Sequence, residues 1–510
     1  MRRRTPVSAL VAAAVAALAA PLVALAPLGA QVPSAPSAPS PQTRTAAPVD
    51  SVRALPFDEF HRAVAANHPV ARQAGLARQQ AREELRIARG AFDPTLSATV
   101  DRKARSSSVY YNYAEAELKI PTPFGSDVKL AYERALGTRI ANDRYTGALT
   151  GNPGILKLGF SVPVGQRLIT DERRNALAQA RALQDVAEAD RGGAVNKLLL
   201  SAAKDYARWY EAHRRRLVQR EGLTLAEFRL RAIRARVQRG ESAPIDTIEA
   251  SLEVQRRDVA RREAEQLYYA TSQTVANYLW DDAQSPLDLA PGVVPTVLGL
   301  EAERVDSTRL PAWLELAARQ HPDVRKIAAR VDQAAAQRLF AMQQVIPFAE
   351  LSLNSVSDRG DVAALTQRSR FDENYVLGGT VRTPLLFMRE RGRYNVADQR
   401  LDQQQLEQSR VVREVALDVR VAVNDLATMF AVLELQREAV RLARLLLNGE
   451  QRRFEAGESQ LLVVNLRERL LLDEELKLAA TESKYASTRA ELAVALGEPA
   501  VLPQAGAAPR

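Results

Sequence analysis

The chain has 510 residues, no cysteine and a formal net charge of +9. Hydrophobic residues make up 46% and charged residues 26%, a balance that excludes disorder for most of the chain. Aromatic residues make up only 5%, which disfavours a large all-β core. The absence of cysteine excludes a disulfide scaffold, a thiolate metal site and a cysteine nucleophile.

Residues 1–30 have the three parts of a secretory signal peptide. Arginines at positions 2–4 precede an apolar run from Val7 to Leu28, and small residues follow up to Ala30. We therefore expect cleavage there and export from the cytoplasm of a bacterium. Residues 31–54, rich in Pro, Ser and Ala, predict a disordered linker, and so do residues 498–510. No later apolar run is long enough for a transmembrane helix, so the chain could enter a membrane only as strands.

The most informative feature of the sequence is an internal repeat. His68-Pro69 returns as His321-Pro322, and the Gly-Glu-Ser sequence at 240–242 returns at 457–459. Prolines at the ends of the predicted helices repeat in the same order: Pro94, Pro163, Pro347 and Pro384. Pro94 and Pro347 are separated by 253 residues (347 − 94), whereas Pro163 and Pro384 are separated by 221 (384 − 163). The first repeat therefore carries about 32 extra residues between Pro94 and Pro163. The two repeats span 55–284 and 312–497, joined by a linker at 285–311.

Each repeat predicts helix, strands, a very long helix, a turn and a returning helix. The long helices, at about 171–238 and 389–455, would each extend for about 100 Å at about 1.5 Å per residue. The returning helices are predicted at about 244–281 and 459–497. Apolar residues step by three and four along both long helices, which indicates a narrow coiled-coil seam. They are Leu198, Ala202, Tyr206 and Trp209, then Val412, Val415, Val419, Val423, Leu426, Phe430 and Leu433.

Segments within about 95–163 and 348–384 alternate between apolar and polar residues, which predicts strands with one apolar face. Leu156, Leu158 and Phe160, for example, alternate with residues that are polar or small. The second repeat contributes two strands, whereas the first contributes either two or four. In a soluble protein such strands would form a half-buried sheet beside the helices, but no other sheet is predicted for them to pack on.

So few strands cannot close a barrel alone, and an open edge in lipid would leave backbone groups unsatisfied. Several chains must therefore pool strands, with apolar faces toward lipid and polar faces toward a wet lumen. The predicted fold is mostly α with a membrane β-barrel. The long antiparallel hairpins would project into an aqueous space and pack as a hollow cylinder.

This combination resembles the TolC family of outer-membrane channels, the outer membrane efflux proteins, over about residues 55–497. The resemblance rests on the signal peptide, the duplicated unit, the four junction prolines and the paired hairpin turns. It implies a homotrimer with at least four strands per protomer in the outer membrane and a helical tunnel across the periplasm. It also implies passive export, as part of a tripartite efflux or type I secretion system, with a periplasmic adaptor and an inner-membrane pump or transporter.

In the family, the hairpin tips form the periplasmic mouth and contact the adaptor; here the tips are 239–246 and 456–463. The candidate gate and adaptor-contact residues are Arg239, Gly240, Asp246, Arg453, Gly457, Val463 and Leu466. Asp246 fits a family gate position, or is a first-turn acid favoured by the helix dipole. Val463 and Leu466 stand where family members often place carboxylates, so the mouth is expected to close by apolar packing with Val464. Arg239 and Arg453 either pair with acids of neighbouring helices or the adaptor, or are solvated.

The sequence predicts no catalysis, no cofactor and no metal site. The four histidines form no ligand-spaced pair, and no phosphate loop, zinc motif or nucleophile elbow occurs. Charges alternate in sign along the helices, so nucleic acid is not an expected partner. The alternative to a channel is a periplasmic coiled-coil structural or adaptor protein. The sequence does not identify the cargo.

Overall fold

The computed structural model describes residues 53–105, 108–136, 150, 154–290, 292–296, 306–357 and 374–499. The expected signal peptide, nearly all of the linker at 31–54 and most of the tail lie outside these residues. The described chain forms two compact units. One contains 84–181 and 333–401, and the other contains 53–83, 182–332 and 402–499, each with the gaps given above.

Helices follow the predicted pattern closely. They are α1 (Phe57–Asn67), α2 (Pro69–Gly90), α3 (Glu172–Gln238), α4 (Pro244–Ala276), α5 (Leu310–Gln320), α6 (Pro322–Gln344), α7 (Met388–Glu455) and α8 (Leu461–Ala495). The returning helix of the first repeat ends at Ala276 and not at about 281, because the amides of Tyr278 and Leu279 turn to carbonyls three residues back. Within the described ranges no helix is long and apolar enough to cross a lipid bilayer.

Eight strands are described. They are β1 (Ala54–Leu55), β2 (Thr95–Arg105), β3 (Ser108–Pro121), β4 (Asp127–Leu136), β5 (Ile155–Pro163), β6 (Val294–Pro295), β7 (Phe348–Ser357) and β8 (Tyr375–Arg382). The two shortest, β1 and β6, pair in parallel and were not predicted. The other six form one antiparallel sheet in the order β2-β3-β4-β5-β7-β8. The first repeat therefore contributes four strands, which resolves the alternative that the sequence left open.

The strand register joins apolar side chains into one continuous face across this sheet. One row runs through Leu96, Leu118, Leu130 and Leu158, and the next runs through Ile120, Val128, Phe160, Leu353 and Leu377. Many side chains of this face are exposed: Leu377 is 68% exposed, and Val381, which lies on the same face opposite Ala349, is 76% exposed. An exposed apolar surface of this extent is typical of a face that meets a partner or a membrane.

The opposite face of the sheet is polar. Lys119, Lys129 and Gly159 share one row, and Ser161 and Ser352 share the next. A Cβ at position 159 would lie 2.1 Å from the amide oxygen of Asn354, so a larger residue there would require the Asn354 side chain to move. The alternation predicted from the sequence therefore produces two chemically distinct faces.

The unit that contains 53–83, 182–332 and 402–499, here called the helical unit, has two large apolar cores. Each is centred on the long helix of one repeat, and Ala486 and Ala490 of α8 also enter the first. In the first, the buried seam of α3 packs against α1, and the Tyr206 ring meets Phe57 edge-on at 5.2 Å between centroids. The Tyr206 hydroxyl also donates to the Leu55 carbonyl at 2.7 Å. In the second core, the α7 seam packs with α5 and α8 around Tyr485. The predicted seams are thus confirmed by the burial of Trp209 and Val419.

The two His-Pro sequences form the same helix break. Proline disfavours a helical conformation at the residue before it, and both His68 and His321 are extended at the break. The ring Nδ1 of His68 accepts from the Val70 amide at 3.3 Å, and that of His321 accepts from the Asp323 amide at 3.2 Å. Each histidine therefore ends one helix and caps the next.

Candidate functional site

The tips of the two hairpins share one backbone geometry. Gly240 and Gly457 have φ of 75° and 79°, a left-handed conformation that glycine adopts at little cost. At both tips the glycine amide bonds the carbonyl three residues back, and the next amide bonds the carbonyl five residues back. This is the Schellman motif, and it ends α3 and α7 in the same way.

The first tip is polar at its turn and apolar beyond it. Arg239 donates to Glu241 at 2.8 and 3.1 Å, so its ion pair lies within the exposed turn itself. Pro244 begins α4, and Asp246 lies in the first turn, where an acid is favoured by the helix dipole. Ile245 and Ile248 are both 64% exposed and contribute an unpartnered apolar edge in this unit.

The second tip is held by one buried carboxylate. Glu450 accepts a hydrogen bond from the Ser459 hydroxyl, and Arg453 approaches the same carboxylate at 3.9 Å. The two predicted arginines therefore find local acids in this chain. Of the apolar residues expected at the mouth, Val464 is buried, Val463 is half-buried and Leu466 is exposed.

Two adjacent residues of α8 bind the hairpins to each other near the tips. Glu468 accepts from Arg229 of α3 at 2.5 Å, and Asn465 accepts from the same guanidinium. Arg469 donates to Glu253 of α4, which also accepts from Arg257 at 2.9 Å. We call these two ion pairs, Arg229–Glu468 and Arg469–Glu253, the hairpin clamp. Sequence reasoning missed it.

The hairpin clamp lies mostly away from solvent. The side chains of Arg229, Glu468 and Glu253 are 14%, 8% and 11% exposed. Burial alone would raise the pKa of Glu253, but hydrogen bonds and charge attraction from Arg469 and Arg257 outweigh it, so the pKa lies below the ordinary value. The Glu253 carboxylate therefore remains ionised at neutral pH. Glu468 is the more vulnerable carboxylate, because loss of Arg229 would leave its buried charge without this ion pair.

An apolar cluster supports the same contact between hairpins. Leu461, the first residue of α8, packs with Leu230 and Ile233 of α3 and with Ala250 of α4. Nearby, the Arg236 guanidinium lies over the Phe454 ring at 5.7 Å from its centroid. The first hairpin thus contacts both helices of the second.

The four predicted junction prolines lie at the ends of the sheet. Pro94 and Pro347 immediately precede β2 and β7, Pro163 is the last residue of β5, and Pro384 lies two residues after the end of β8. Strand ends suit proline because it has no amide to donate to a ladder. Among the residues that the structure describes, no group of three or more metal-ligating side chains is placed to hold a metal ion.

Comparisons with known proteins agree with this architecture. Residues 313–498 match the model of the family described as outer membrane efflux protein. None of the curated proteins that were compared matches the chain. The sequence resemblance to outer-membrane efflux channels is therefore confirmed for the second repeat, and the matching family is a family of channels and not of enzymes.

Solved structures extend the similarity of fold to most of the chain. The CmeC outer membrane channel of Campylobacter jejuni is 14% identical, with a TM-score of 0.56 over 86% of this chain and 85% of that one. The outer membrane protein VceC of Vibrio cholerae is 16% identical, with a TM-score of 0.57 over 87% and 96%. The MtrE outer membrane channel of Neisseria gonorrhoeae, in its open state, is 16% identical, with a TM-score of 0.58 over 89% and 94%. The TolC-like fold predicted from the repeat is therefore confirmed.

Proposed function

We propose that the chain is the outer-membrane exit duct of a tripartite efflux or type I secretion system and conducts its cargo passively. The observation that carries the proposal is a six-stranded sheet with one exposed apolar face, in a chain that also forms two hairpins of very long helices. The family match over the second repeat supports the same function.

The sheet would span the outer membrane only after several copies pool their strands. In one chain β2 and β8 are edges, and an open edge in lipid leaves backbone groups unsatisfied. Three copies with six strands each would supply eighteen strands (3 × 6) to one wall. Barrels of about 16–18 strands leave an aqueous channel, which suits an exit duct.

Exposed apolar stripes on the helices support association of copies through the periplasmic part. On α7, Val421, Leu435 and Leu442 lie seven or fourteen residues apart, the spacing of a coiled-coil seam, and Leu435 is 72% exposed. On α4, Ile245, Ile248 and Leu252 form a similar exposed stripe. In a trimeric tunnel these stripes would be buried at the interfaces between neighbouring copies.

The hairpin tips would then form the periplasmic mouth and contact an adaptor, which would link the duct to an inner-membrane pump or transporter. In this proposal Gly240 and Gly457 set the two turns. Val463 and Leu466 would narrow the mouth by apolar contact between copies. The hairpin clamp would hold the tips together within each copy.

The alternative, a periplasmic structural or adaptor protein, does not explain the apolar sheet face. A soluble protein would have to cover that face, yet Leu351, Leu377 and Val381 remain more than half exposed. The family match also favours the duct.

The mass and conductance of the extracted protein test this proposal directly. We expect the full chain to sediment with the outer membrane, to form a particle of three copies in detergent, and to insert as a conducting pore in a planar bilayer. A monomer or dimer in the soluble periplasmic fraction would refute the duct.

A further inference from the structure

A polar cavity of about 840 Å³ lies on the polar face of the sheet, where β5, β7 and β8 meet the first turns of α3 and α7. Its walls carry more cations than anions. Two of its carboxylates are already neutralised: Asp127 by Lys119 at 3.1 Å and Arg173 at 3.0 Å, and Glu390 by Arg389 at 3.0 Å. The charged lining residues that remain are Lys129, Arg167, Arg382, Arg393, Glu172 and Glu350.

Two of these cations converge on one aromatic ring. The guanidinium carbons of Arg167 and Arg382 lie 5.3 and 5.6 Å from the centroid of Phe348. Among the described carboxylates, none forms an ion pair with either arginine. Stacking on the ring holds each planar group while it leaves the N–H donors free for another acceptor.

The backbone next to Arg167 is held by several hydrogen bonds. Arg174 donates to the carbonyls of Leu168 and Ile169 at 3.2 and 2.9 Å, and Asp171 caps α3 by accepting from the Arg174 amide at 2.8 Å. The Gln166 amide bonds the Pro347 carbonyl at 3.1 Å, next to Phe348. Arg167 and the ring on which it stacks are therefore positioned by the same segments.

Two like charges held near one ring repel each other, and a bound anion in the cavity that both line would offset that repulsion. Guanidinium groups bind carboxylate and phosphate oxygens in a paired, planar geometry. We propose that this cavity binds an oxyanion, a carboxylate or phosphate group of a compound that passes through the protein. The inference that an anion binds rests on the cavity alone, whereas the inference that this anion belongs to a transported compound rests on the proposed duct.

Inorganic pyrophosphate is a suitable probe, titrated calorimetrically into the detergent-extracted full chain at low salt. We expect the double variant Arg167→Gln and Arg382→Gln to bind at least tenfold more weakly. Arg102→Gln is the matched control, because Arg102 lies on the opposite face of the sheet, in register with the apolar rows. It should bind like the unaltered chain. No binding by the unaltered chain, or equal loss in both variants, would overturn the site.

A second variant keeps the test decisive if the double variant fails to fold. Glu350 lines the same cavity and pairs in register with Thr380 beside Arg382. Its replacement, Glu350→Gln, removes a competing negative charge and should tighten pyrophosphate binding about threefold. Unchanged or weaker binding by a folded Glu350→Gln protein would contradict the proposal.

Bilayer recordings then separate this inference from the proposed function. If the chain conducts, the reversal potential in a potassium chloride gradient should shift toward cation preference in Arg167→Gln/Arg382→Gln and not in Arg102→Gln. A pore with unchanged selectivity would refute the role in transport. Absence of any pore would refute the duct, and the calorimetric result would still decide whether the anion site exists.

Discussion

At the scale of single residues, His213 is a titratable group of the helical unit whose pKa is strongly lowered. It lies on α3 beside the Tyr268 ring, 5.7 Å between centroids. Burial, followed by the charges of Arg216, Arg214 and Arg220, lowers its pKa to about 4 from an ordinary 6.5. The folded protein therefore keeps this ring neutral at pH values where the unfolded chain protonates it.

The lowered pKa of His213 makes the folded protein less stable in acid. Between pH 6.5 and about 4 the unfolded chain binds the proton that the folded chain refuses, so stability is complete above this window and is lost as pH falls through it. The full difference would correspond to about 3 kcal/mol, and screening of a ring that is only half-buried reduces this to about 1–2 kcal/mol. His68 and His321, whose pKa values burial also lowers, act in the same direction.

We predict that the thermal unfolding midpoint falls less between pH 7 and pH 5 in His213→Gln than in the unaltered chain. Helical circular dichroism provides the measurement, and the comparison cancels titration of the carboxylates, which both proteins share. Equal pH slopes in the two proteins would show that His213 does not titrate differently on unfolding.

At the scale of elements, the hairpin clamp decides how firmly α8 is held to α3 and α4. Arg229→Met leaves Glu468 buried without its cation, a change that costs roughly 3–5 kcal/mol when a buried pair is broken. We predict a lower unfolding midpoint and, in a bilayer, a higher conductance, because a released α8 would let the tips separate. Arg229→Met combined with Glu468→Leu should recover much of the stability, since no unpaired charge remains.

Arg410→Met is the control for the clamp. Arg410 also bonds two carboxylates, Glu407 and Glu414, but all three are exposed on the surface of α7. Its loss should leave the unfolding midpoint and the conductance unchanged, as is usual for surface ion pairs. If Arg229→Met were as stable as Arg410→Met and its conductance were unaltered, the hairpin clamp would not hold the tips together.

Helices were easier to predict than strands or contacts. The predicted ends of α3 and α7 agree with the structure within a residue, because apolar periodicity and the glycines at 240 and 457 mark them. The fourth strand of the first repeat remained open, since β2 has a mixed pattern that ends in charged residues. The clamp could not be predicted, because Arg229 and Glu468 lie 239 residues apart among many similar surface charges.

At the scale of the whole molecule, duplication explains the features that the two repeats share. An extra β-hairpin in the first repeat explains why the repeats differ in their number of strands. Both repeats keep the His-Pro break, the junction prolines and the Schellman tip. The extra residues of the first repeat appear as two additional strands, so the repeats contribute four and two strands to one sheet. Because the register aligns apolar residues of β2 and β3 with those of β4 and β5, the added β-hairpin widens the sheet without interrupting its apolar face.

That continuous face supplies the last prediction. Leu158→Asp with Phe160→Asp places two charges in its centre, where the side chains oppose Ser355 and Leu353 of β7. If the face meets lipid, each Asp should cost roughly 2 kcal/mol, because acids cost less than the ~2–4 kcal/mol of Lys or Arg at the bilayer midplane. The yield of heat-modifiable trimer in the outer-membrane fraction should fall sharply. Ser352→Asp with Asn354→Asp adds the same charges to the polar face of the adjoining strand and should assemble normally. Normal assembly of the Leu158/Phe160 variant would mean that this face does not contact the membrane.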